Sequence, residues 1–219
     1  MTVRVLLVDD DPLVRTGLSM ILGSAPDLTV VAEAGDGDEA VQQVARHAPD
    51  VVIMDIRMRR MNGLVATAAV LAQPRPPKVL ILTTFDLDEY VYEALAAGAS
   101  GFLLKEGSPQ EIIEGVRVVA NGDAMLSPRT TKQLIGQFVA ARANPRRTVA
   151  QTKLERLSDR ERQIVTAVAQ GKPNAQIAAE LFLSEATVKT HITRTFAKLD
   201  VSNRVQLTIF AYEAVLVTP

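Results

Sequence analysis

The chain has 219 residues, 47% of them hydrophobic, and a formal net charge of −1, which suits one large or two small globular domains. It contains no cysteine, so disulfides and thiolate metal sites are excluded. No apolar run approaches the roughly 18 residues of a membrane span, and the N-terminus does not resemble a signal peptide. The sequence therefore predicts a cytoplasmic protein with no membrane partner.

The charge is unevenly distributed along the chain. Residues 1–122 contain 10 Lys and Arg against 17 Asp and Glu, a net charge of −7. Residues 123–219 contain 14 against 8, a net charge of +6. This asymmetry suggests two domains with different partners and makes nucleic acid a candidate for the basic one, although ordinary surface variation is the alternative.

Five apolar runs in residues 1–122 have the length and continuity of strands buried on both faces of a parallel sheet. Between them lie stretches with helical periodicity and capping signals, such as the Ser-Pro-Gln-Glu box at 108–111. Alternating strands and helices predict a doubly wound parallel sheet with right-handed crossovers. The predicted strands cover 3–8, 28–34, 51–54, 78–82 and 101–104, and the predicted helices begin near Pro12, Asp36, Gly63, Asp86 and Pro109.

The ends of these strands carry the residues of most interest. Asp9 and Asp10 end the first strand, and Asp55 ends the third. Thr83 and Lys105 end the fourth and the fifth. The carboxyl ends of parallel strands share one rim, where ligands bind, so these side chains should converge. Carboxylates suit Mg²⁺, and a lysine with a hydroxyl suits phosphoryl oxygens, although each residue alone would be weak evidence.

Residues 1–122 resemble the receiver domain of two-component response regulators. The resemblance implies that Asp55 is the phosphoacceptor and that Asp9, Asp10 and Asp55 hold Mg²⁺ together with the backbone carbonyl of Arg57. Asp11 is expected to start a helix rather than to be a further metal ligand.

The same resemblance assigns the switch residues of the receiver. Thr83 corresponds to the switch hydroxyl, Lys105 to the family's lysine, and Phe102 to the aromatic residue that swings inward on activation. Arg59 stands where the family usually has a proline, so the loop after Asp55 lacks the stiffening that proline would give.

Residues 123–153 are predicted to be a linker with one helix, from about 128 to 143. The Asn-Pro pair at 144–145 ends that helix, and an exposed tether is expected up to about 152. Arg146 and Arg147 could contact DNA phosphate, but solvated linker charges are the favoured interpretation.

Residues 154–219 show the pattern of a small helical domain. Ser158 and Glu161 form a capping box, Asn174 is expected to cap a short helix over 175–182, and Ser184 a long one over 185–199. The outer face of the long helix is polar and basic. A short helix, a tight turn and such a long helix are typical of a helix-turn-helix, although a plain solvated face is the alternative.

This segment resembles the LuxR-type helix-turn-helix of the NarL/FixJ subfamily of response regulators, through the stretches at 157–161, 169–174 and 184–191. The resemblance implies base contacts by Lys189, Thr190 and Thr193, and phosphate contacts by Thr187, Arg194 and Lys198. The last helix, 205–217, is apolar nearly all round. It is expected to form a dimer contact, with simple core packing as the alternative.

The sequence thus predicts a flavodoxin-like α/β receiver with a five-stranded parallel sheet, followed by an all-α DNA-binding domain. No histidine in the chain looks like a phosphodonor, so a sensor histidine kinase is the expected donor. The active form is expected to be a homodimer on a double-stranded DNA operator, and the protein a regulator rather than an enzyme. One alternative is a receiver that serves only as a dimerisation module. The other is a phosphoaspartyl phosphatase, which would need an acid where Arg57 stands.

Overall fold

A computed structural model describes residues 2–84, 93–126, 146–214 and 216. The chain divides into two compact units, Met1–Thr131 and Lys132–Pro219, and each is considered by itself. The predicted linker helix over 128–143 lies outside the described residues, as does all but the last turn of the predicted helix over 86–97. None of the helices in the described ranges combines the length and apolar character needed to span a bilayer.

The first unit is built on a parallel sheet in the order β2-β1-β3-β4-β5-β6. All five predicted strands are present. A sixth, β6, adds two residues beside β5 and was not predicted, because two residues give no readable pattern. The strands are β1 (Val3–Val8), β2 (Leu28–Ala34), β3 (Val51–Met54), β4 (Lys78–Thr83), β5 (Gly101–Leu104) and β6 (Met125–Leu126).

The described helices of this unit begin where their caps predict. The Asp11 carboxylate accepts a hydrogen bond from the Leu13 amide and so starts a helix, as expected. The capping box at Ser108 and Glu111 is also formed. The helices are α1 (Pro12–Gly23), α2 (Gly37–His47), α3 (Gly63–Leu71) and α4 (Pro109–Ala120). Every residue of β3 is buried, which explains its unbroken apolar run.

The second unit is entirely helical in its described part. Its core includes Ile164, Ile177, Val188, Leu199 and Phe210. Its helices are α5 (Arg146–Leu154), α6 (Asp159–Ala169), α7 (Asn174–Glu180), α8 (Glu185–Leu199) and α9 (Arg204–Glu213). The capping box at the start of α6 and the Ser184 cap of α8 are both formed as predicted.

Two features of this unit differ from the sequence expectation. The segment expected to be an exposed tether is helix α5, whose Ala150 is buried in the core of the unit. Asn174 does not cap α7: it is the first helical residue, follows Pro173, and its side chain accepts a hydrogen bond from Arg204 at 2.9 Å. Both differences arise from contacts with distant parts of the chain, which local pattern does not reveal.

Helix α7 also ends two residues earlier than predicted. Phe182 adopts a left-handed backbone with φ of 55°, and the Leu183 amide donates to the Ala178 carbonyl at 2.9 Å. This is the Schellman arrangement, in which glycine is the usual residue at the left-handed position. It makes the turn between α7 and α8 tight.

The apolar surface of α9 is largely taken up inside its own unit. Leu207, Phe210 and Ala211 belong to the core cluster, and α5 packs against the same helix. For the described part of the helix, core packing, the alternative to a dimer contact, therefore accounts for the apolar surface, because α5 supplies cover that the sequence did not predict.

Candidate functional site: an acidic rim and a basic helix

Three carboxylates meet at the carboxyl ends of β1 and β3. Asp9, Asp10 and Asp55 each offer an oxygen, and these oxygens lie within 4.8 Å of one another. Asp9 and Asp55 are buried, whereas Asp10 is partly open to solvent. The Asp55 amide donates to the Val8 carbonyl at 2.9 Å, which fixes the end of β3 beside the end of β1. The structure thus brings together the acids that the strand ends predicted.

The side chain of Lys105 enters this cluster from the end of β5. Its Nζ lies 2.5 Å from Asp9 Oδ2 and 3.4 Å from Asp55 Oδ1. The backbone amide of Lys105 donates to the Thr83 carbonyl at 2.9 Å, so the neighbouring strand holds its position. The ammonium of Lys105 therefore contacts two of the three clustered carboxylates.

The surroundings of Asp55 shift the pKa of its carboxyl group. Burial raises the pKa of its carboxyl; the nearby Lys105 ammonium lowers it and the Asp9 carboxylate raises it again, and the net effect is an increase. Its buried Oδ1 accepts no well-formed hydrogen bond, and its nearest cation, Lys105 Nζ, lies 3.4 Å away. A buried carboxylate oxygen without a partner beside two further acids fits a hard divalent cation such as Mg²⁺.

The remaining predicted receiver residues lie on β4, on β5 and in the loop after β3. Thr83 is fully buried at the end of β4. Phe102, the second residue of β5, is also fully buried. Arg57 is exposed in the loop that follows β3.

Arg15 and Asp11, which sequence reasoning did not place in the site, hold Asp9 in position. Arg15 of α1 donates from Nη1 to the Asp9 carbonyl at 2.7 Å and from Nε to Glu33 at 3.1 Å. Asp9 Oδ1 accepts from the Asp11 amide at 3.0 Å. These bonds fix the segment that carries the acidic pair.

The loop after Asp55 is anchored by Asp36, which the sequence suggested only as a helix cap. Its Oδ1 accepts from the amides of Met61 at 2.9 Å and Gly37 at 2.8 Å, and its Oδ2 accepts from the Arg60 amide at 3.0 Å. Burial raises the pKa of Asp36, but the three amides and the Arg60 guanidinium together lower it by a larger amount. The net shift of the pKa is therefore downward.

The Arg60 side chain adds ion pairs from the same loop to α2. Its Nη2 lies 2.9 Å from Asp38 Oδ1 and 2.7 Å from Glu39 Oε1. Asp36 and Arg60 thus restrain the loop from two sides. These contacts restrain the loop, which has Arg59 at the position where a proline would stiffen it.

In the second unit, α8 presents the predicted polar face to solvent. Lys189, Thr190, Thr193 and Arg194 are exposed, whereas Val188, Ile192, Thr195 and Leu199 are buried. The hydroxyls of Thr190 and Thr193 donate to the carbonyls of Ala186 and Lys189, one turn earlier. In this arrangement the two hydroxyls can still accept hydrogen bonds from outside.

Two of the predicted phosphate-contacting residues have partners within the unit. Thr187 is half-buried, and its hydroxyl lies 2.8 Å from that of Ser184. Lys198 Nζ lies 2.7 Å from Oε2 of Glu161, whose side chain is only 6% exposed. Lys198 therefore joins the end of α8 to the start of α6, and its ammonium group is paired with a carboxylate inside the unit.

The Glu161–Lys198 pair should stabilise the second unit. Burial raises the pKa of Glu161, but hydrogen bonds from Lys198 and Ser158 and the charge of Lys198 lower it by a larger amount. The pKa in the folded protein therefore lies below the usual value. The stabilisation should be complete at neutral pH and be lost as the pH falls through that lowered pKa. Lys198→Ala leaves a buried carboxylate unpaired and should reduce local stability by about 1–2 kcal/mol, because Lys198 is itself partly solvated.

Hydrogen exchange of the α6 and α8 peptides measures this effect. Arg194→Ala is the matched control, since it removes an exposed charge from the same helix. Faster exchange in Lys198→Ala alone is expected. Equal exchange in both variants would show that the pair does not stabilise the unit.

A doubly wound sheet with an acidic rim, followed by a helix-turn-helix unit, defines a signal-receiving regulator with a DNA-binding output. Comparison with known proteins agrees with this class. The family model described as "Response regulator receiver domain" matches residues 5–117. The one described as "Bacterial regulatory proteins, luxR family" matches residues 155–211.

Relatives match over nearly the whole chain. The Bacillus subtilis "Transcriptional regulatory protein LiaR" is 37% identical over 215 residues, which are 98% of this chain and 99% of that protein. The "Nitrate/nitrite response regulator protein NarL" of Escherichia coli is 33% identical over 209 residues, 95% of this chain and 94% of that protein.

Solved structures give the same result. The response regulator ChrA of a heme-sensing two-component system is 38% identical, with 99% of each chain covered and a TM-score of 0.53. The receiver domain of the putative response regulator NarL from Mycobacterium tuberculosis is 40% identical over 55% of this chain and 98% of that one, with a TM-score of 0.54. The chain belongs to the response regulators of two-component systems, with a receiver domain and a LuxR-type DNA-binding domain.

Proposed function

We propose that Asp55 accepts a phosphoryl group from a partner histidine kinase and that this modification controls DNA binding by the second domain. The observation that carries the proposal is the state of Asp55. It is a buried carboxylate with a raised pKa, it clusters with Asp9 and Asp10, and its Oδ1 lies 3.4 Å from Lys105 Nζ. In this proposal the receiver comprises residues 1–122 and the DNA-binding domain residues 154–219, with Ala150 of α5 packed into the core of the second unit.

The transfer is a displacement at phosphorus. An Asp55 carboxylate oxygen forms the new O–P bond, the N–P bond of the donor phosphohistidine breaks, and the imidazole nitrogen keeps that electron pair. Lys105, already 3.4 Å from Asp55 Oδ1, donates to a phosphoryl oxygen and balances part of its charge. Asp9 loses its closest cation contact when the lysine turns to the phosphoryl group.

The carboxylates of Asp9, Asp10 and Asp55 and the main-chain carbonyl of Arg57 would hold Mg²⁺. When bound, the ion supplies the positive charge that three carboxylates and an entering phosphoryl group require. Arg15 and Asp11 support this set by fixing the main chain and the side chain of Asp9.

The signal leaves the site through β4 and β5. The Thr83 hydroxyl donates a hydrogen bond to the phosphoryl group. The buried Phe102 ring follows the movement of Thr83. The new positions of Thr83 and Phe102 favour one of two conformational states of the receiver, so the population of that state rises. The shifted state favours a homodimer whose α8 helices bind two half-sites of a DNA operator.

The exposed face of α8 should contain two functional kinds of residue. Lys189 lies in the first turns of the helix, where it can donate to guanine O6 or N7, a contact worth roughly 1–3 kcal/mol of discrimination. Arg194 lies further along and should meet phosphate. Lys189→Ala should therefore reduce the preference for operator over random DNA, whereas Arg194→Ala should weaken both and lower the salt slope by about one unit.

Fluorescence anisotropy on operator and scrambled duplexes across a salt series separates these effects. The operator can be selected from a random library with the wild-type protein. If Lys189→Ala weakens both duplexes equally and preserves their ratio, Lys189 contacts phosphate and its assignment to base reading is wrong.

A further inference from the structure

Arg59 contacts one of the three clustered acids from outside the pocket. Its Nε lies 3.6 Å from Oδ2 of Asp10, and its side chain is 85% exposed. Asp10 is also the most solvent-accessible member of the acidic cluster. The charge that replaces the family's usual proline is thus placed at the open side of the proposed metal site.

The main chain around Arg59 is held in place. The next two residues, Arg60 and Met61, both donate their amides to the buried Asp36 carboxylate. The ion pairs of Arg60 with α2 restrain the same loop. The guanidinium of Arg59 is therefore carried on an anchored backbone within reach of Asp10, although the exposed side chain itself remains free to change rotamer.

A guanidinium and a divalent cation compete for the same carboxylate. With Asp10 paired to Arg59, part of the negative charge that attracts a cation is already balanced. A cation that binds Asp10 must displace the guanidinium or accept its repulsion at short range. By linkage, any charge that stabilises the cation-free cluster weakens cation binding to the same extent.

We propose that Arg59 is a tethered competitor of Mg²⁺ at Asp10 and sets the Mg²⁺ concentration at which this receiver becomes competent for phosphoryl transfer. The inference rests on the proposed Mg²⁺ site and adds a regulatory property to it. Arg59 is a positioning residue in this role, because it acts through Asp10. Its large exposure means that its replacement should not disturb folding.

The test is calorimetric titration of the full, unphosphorylated chain with MgCl₂ at low ionic strength. Arg59→Gln, which removes the charge and leaves a shorter polar side chain, should lower the dissociation constant about fivefold. Arg59→Lys keeps the charge and should resemble the wild type. Arg75→Gln removes the same charge from an exposed position before the start of β4, at the opposite end of the sheet, and should have no effect.

Salt provides a second criterion. Since Arg59 is solvent-exposed, the difference between Arg59→Gln and the wild type should shrink as ionic strength rises. Equal dissociation constants for these two proteins, or an equal change in Arg75→Gln, would overturn the role of Arg59 and leave the proposed function standing. Failure of every variant to bind Mg²⁺ would overturn both the metal site and this inference.

Discussion

Asp55→Asn is expected to abolish phosphoryl incorporation. The substitution keeps the shape of a buried side chain in the cluster with Asp9, Asp10 and Lys105, but replaces its nucleophilic oxygen with a weakly nucleophilic amide. The protein is treated with acetyl phosphate and Mg²⁺, and intact mass is measured. The wild type should gain one phosphoryl group and Asp55→Asn none.

Asp11→Asn is the matched control for this experiment. Asp11 is a neighbouring acid, but its carboxylate caps α1 and does not belong to the metal cluster. Asparagine also caps helices well, so this variant should be modified like the wild type. A mass increase that survives Asp55→Asn would place the acceptor at another residue.

Gly63→Ala should cause the largest loss of stability among single-methyl additions in the receiver. A Cβ at Gly63 would lie 1.9 Å from the Asp55 carbonyl oxygen and 2.9 Å from its carbonyl carbon. Both contacts are with backbone, so no side-chain rotation relieves them. The start of α3 or the end of β3 must move, at a cost of about 2–4 kcal/mol. That movement should also displace Asp55 and slow its modification.

Gly17→Ala in α1 is the control for the added methyl group. No heavy atom lies within 4 Å of a Cβ at that position. Alanine in a helix interior is better than glycine by roughly 0.5–1 kcal/mol, so Gly17→Ala should be neutral or stabilising. Urea unfolding followed by circular dichroism compares the variants. Equal midpoints for Gly63→Ala and the wild type would contradict the close packing of α3 on Asp55.

The strands and the acidic rim could be predicted because their causes are local. An unbroken apolar run ending in an acid, as at 51–55, indicates both a buried strand and the identity of the residue at its end. The Ser158 and Ser184 caps were likewise readable, because a cap and its partner lie within three residues. Parallel pairing then brings distant strand ends together without further information.

What could not be predicted depends on contacts between distant residues. The Asp36 anchor of the loop after Asp55 joins positions 24 and 25 residues apart, and the Glu161–Lys198 pair joins positions 37 apart. Helix α5 follows the Asn-Pro pair at 144–145, which locally indicates a tether, but its Ala150 is buried in the core of the unit. In each case the stabilising partner is absent from the local sequence.

The state of Asp55 is proposed to control DNA binding. This control is tested by the anisotropy of a labelled operator duplex titrated with protein, with and without beryllofluoride and Mg²⁺, in the wild type and Asp55→Asn. Beryllofluoride should raise the operator affinity of the wild type and, in parallel sedimentation runs, its dimer fraction. Asp55→Asn should respond in neither measurement. Wild-type affinity and dimer fraction that stay unchanged by beryllofluoride would contradict the account and leave the receiver as a phosphorylation-independent module.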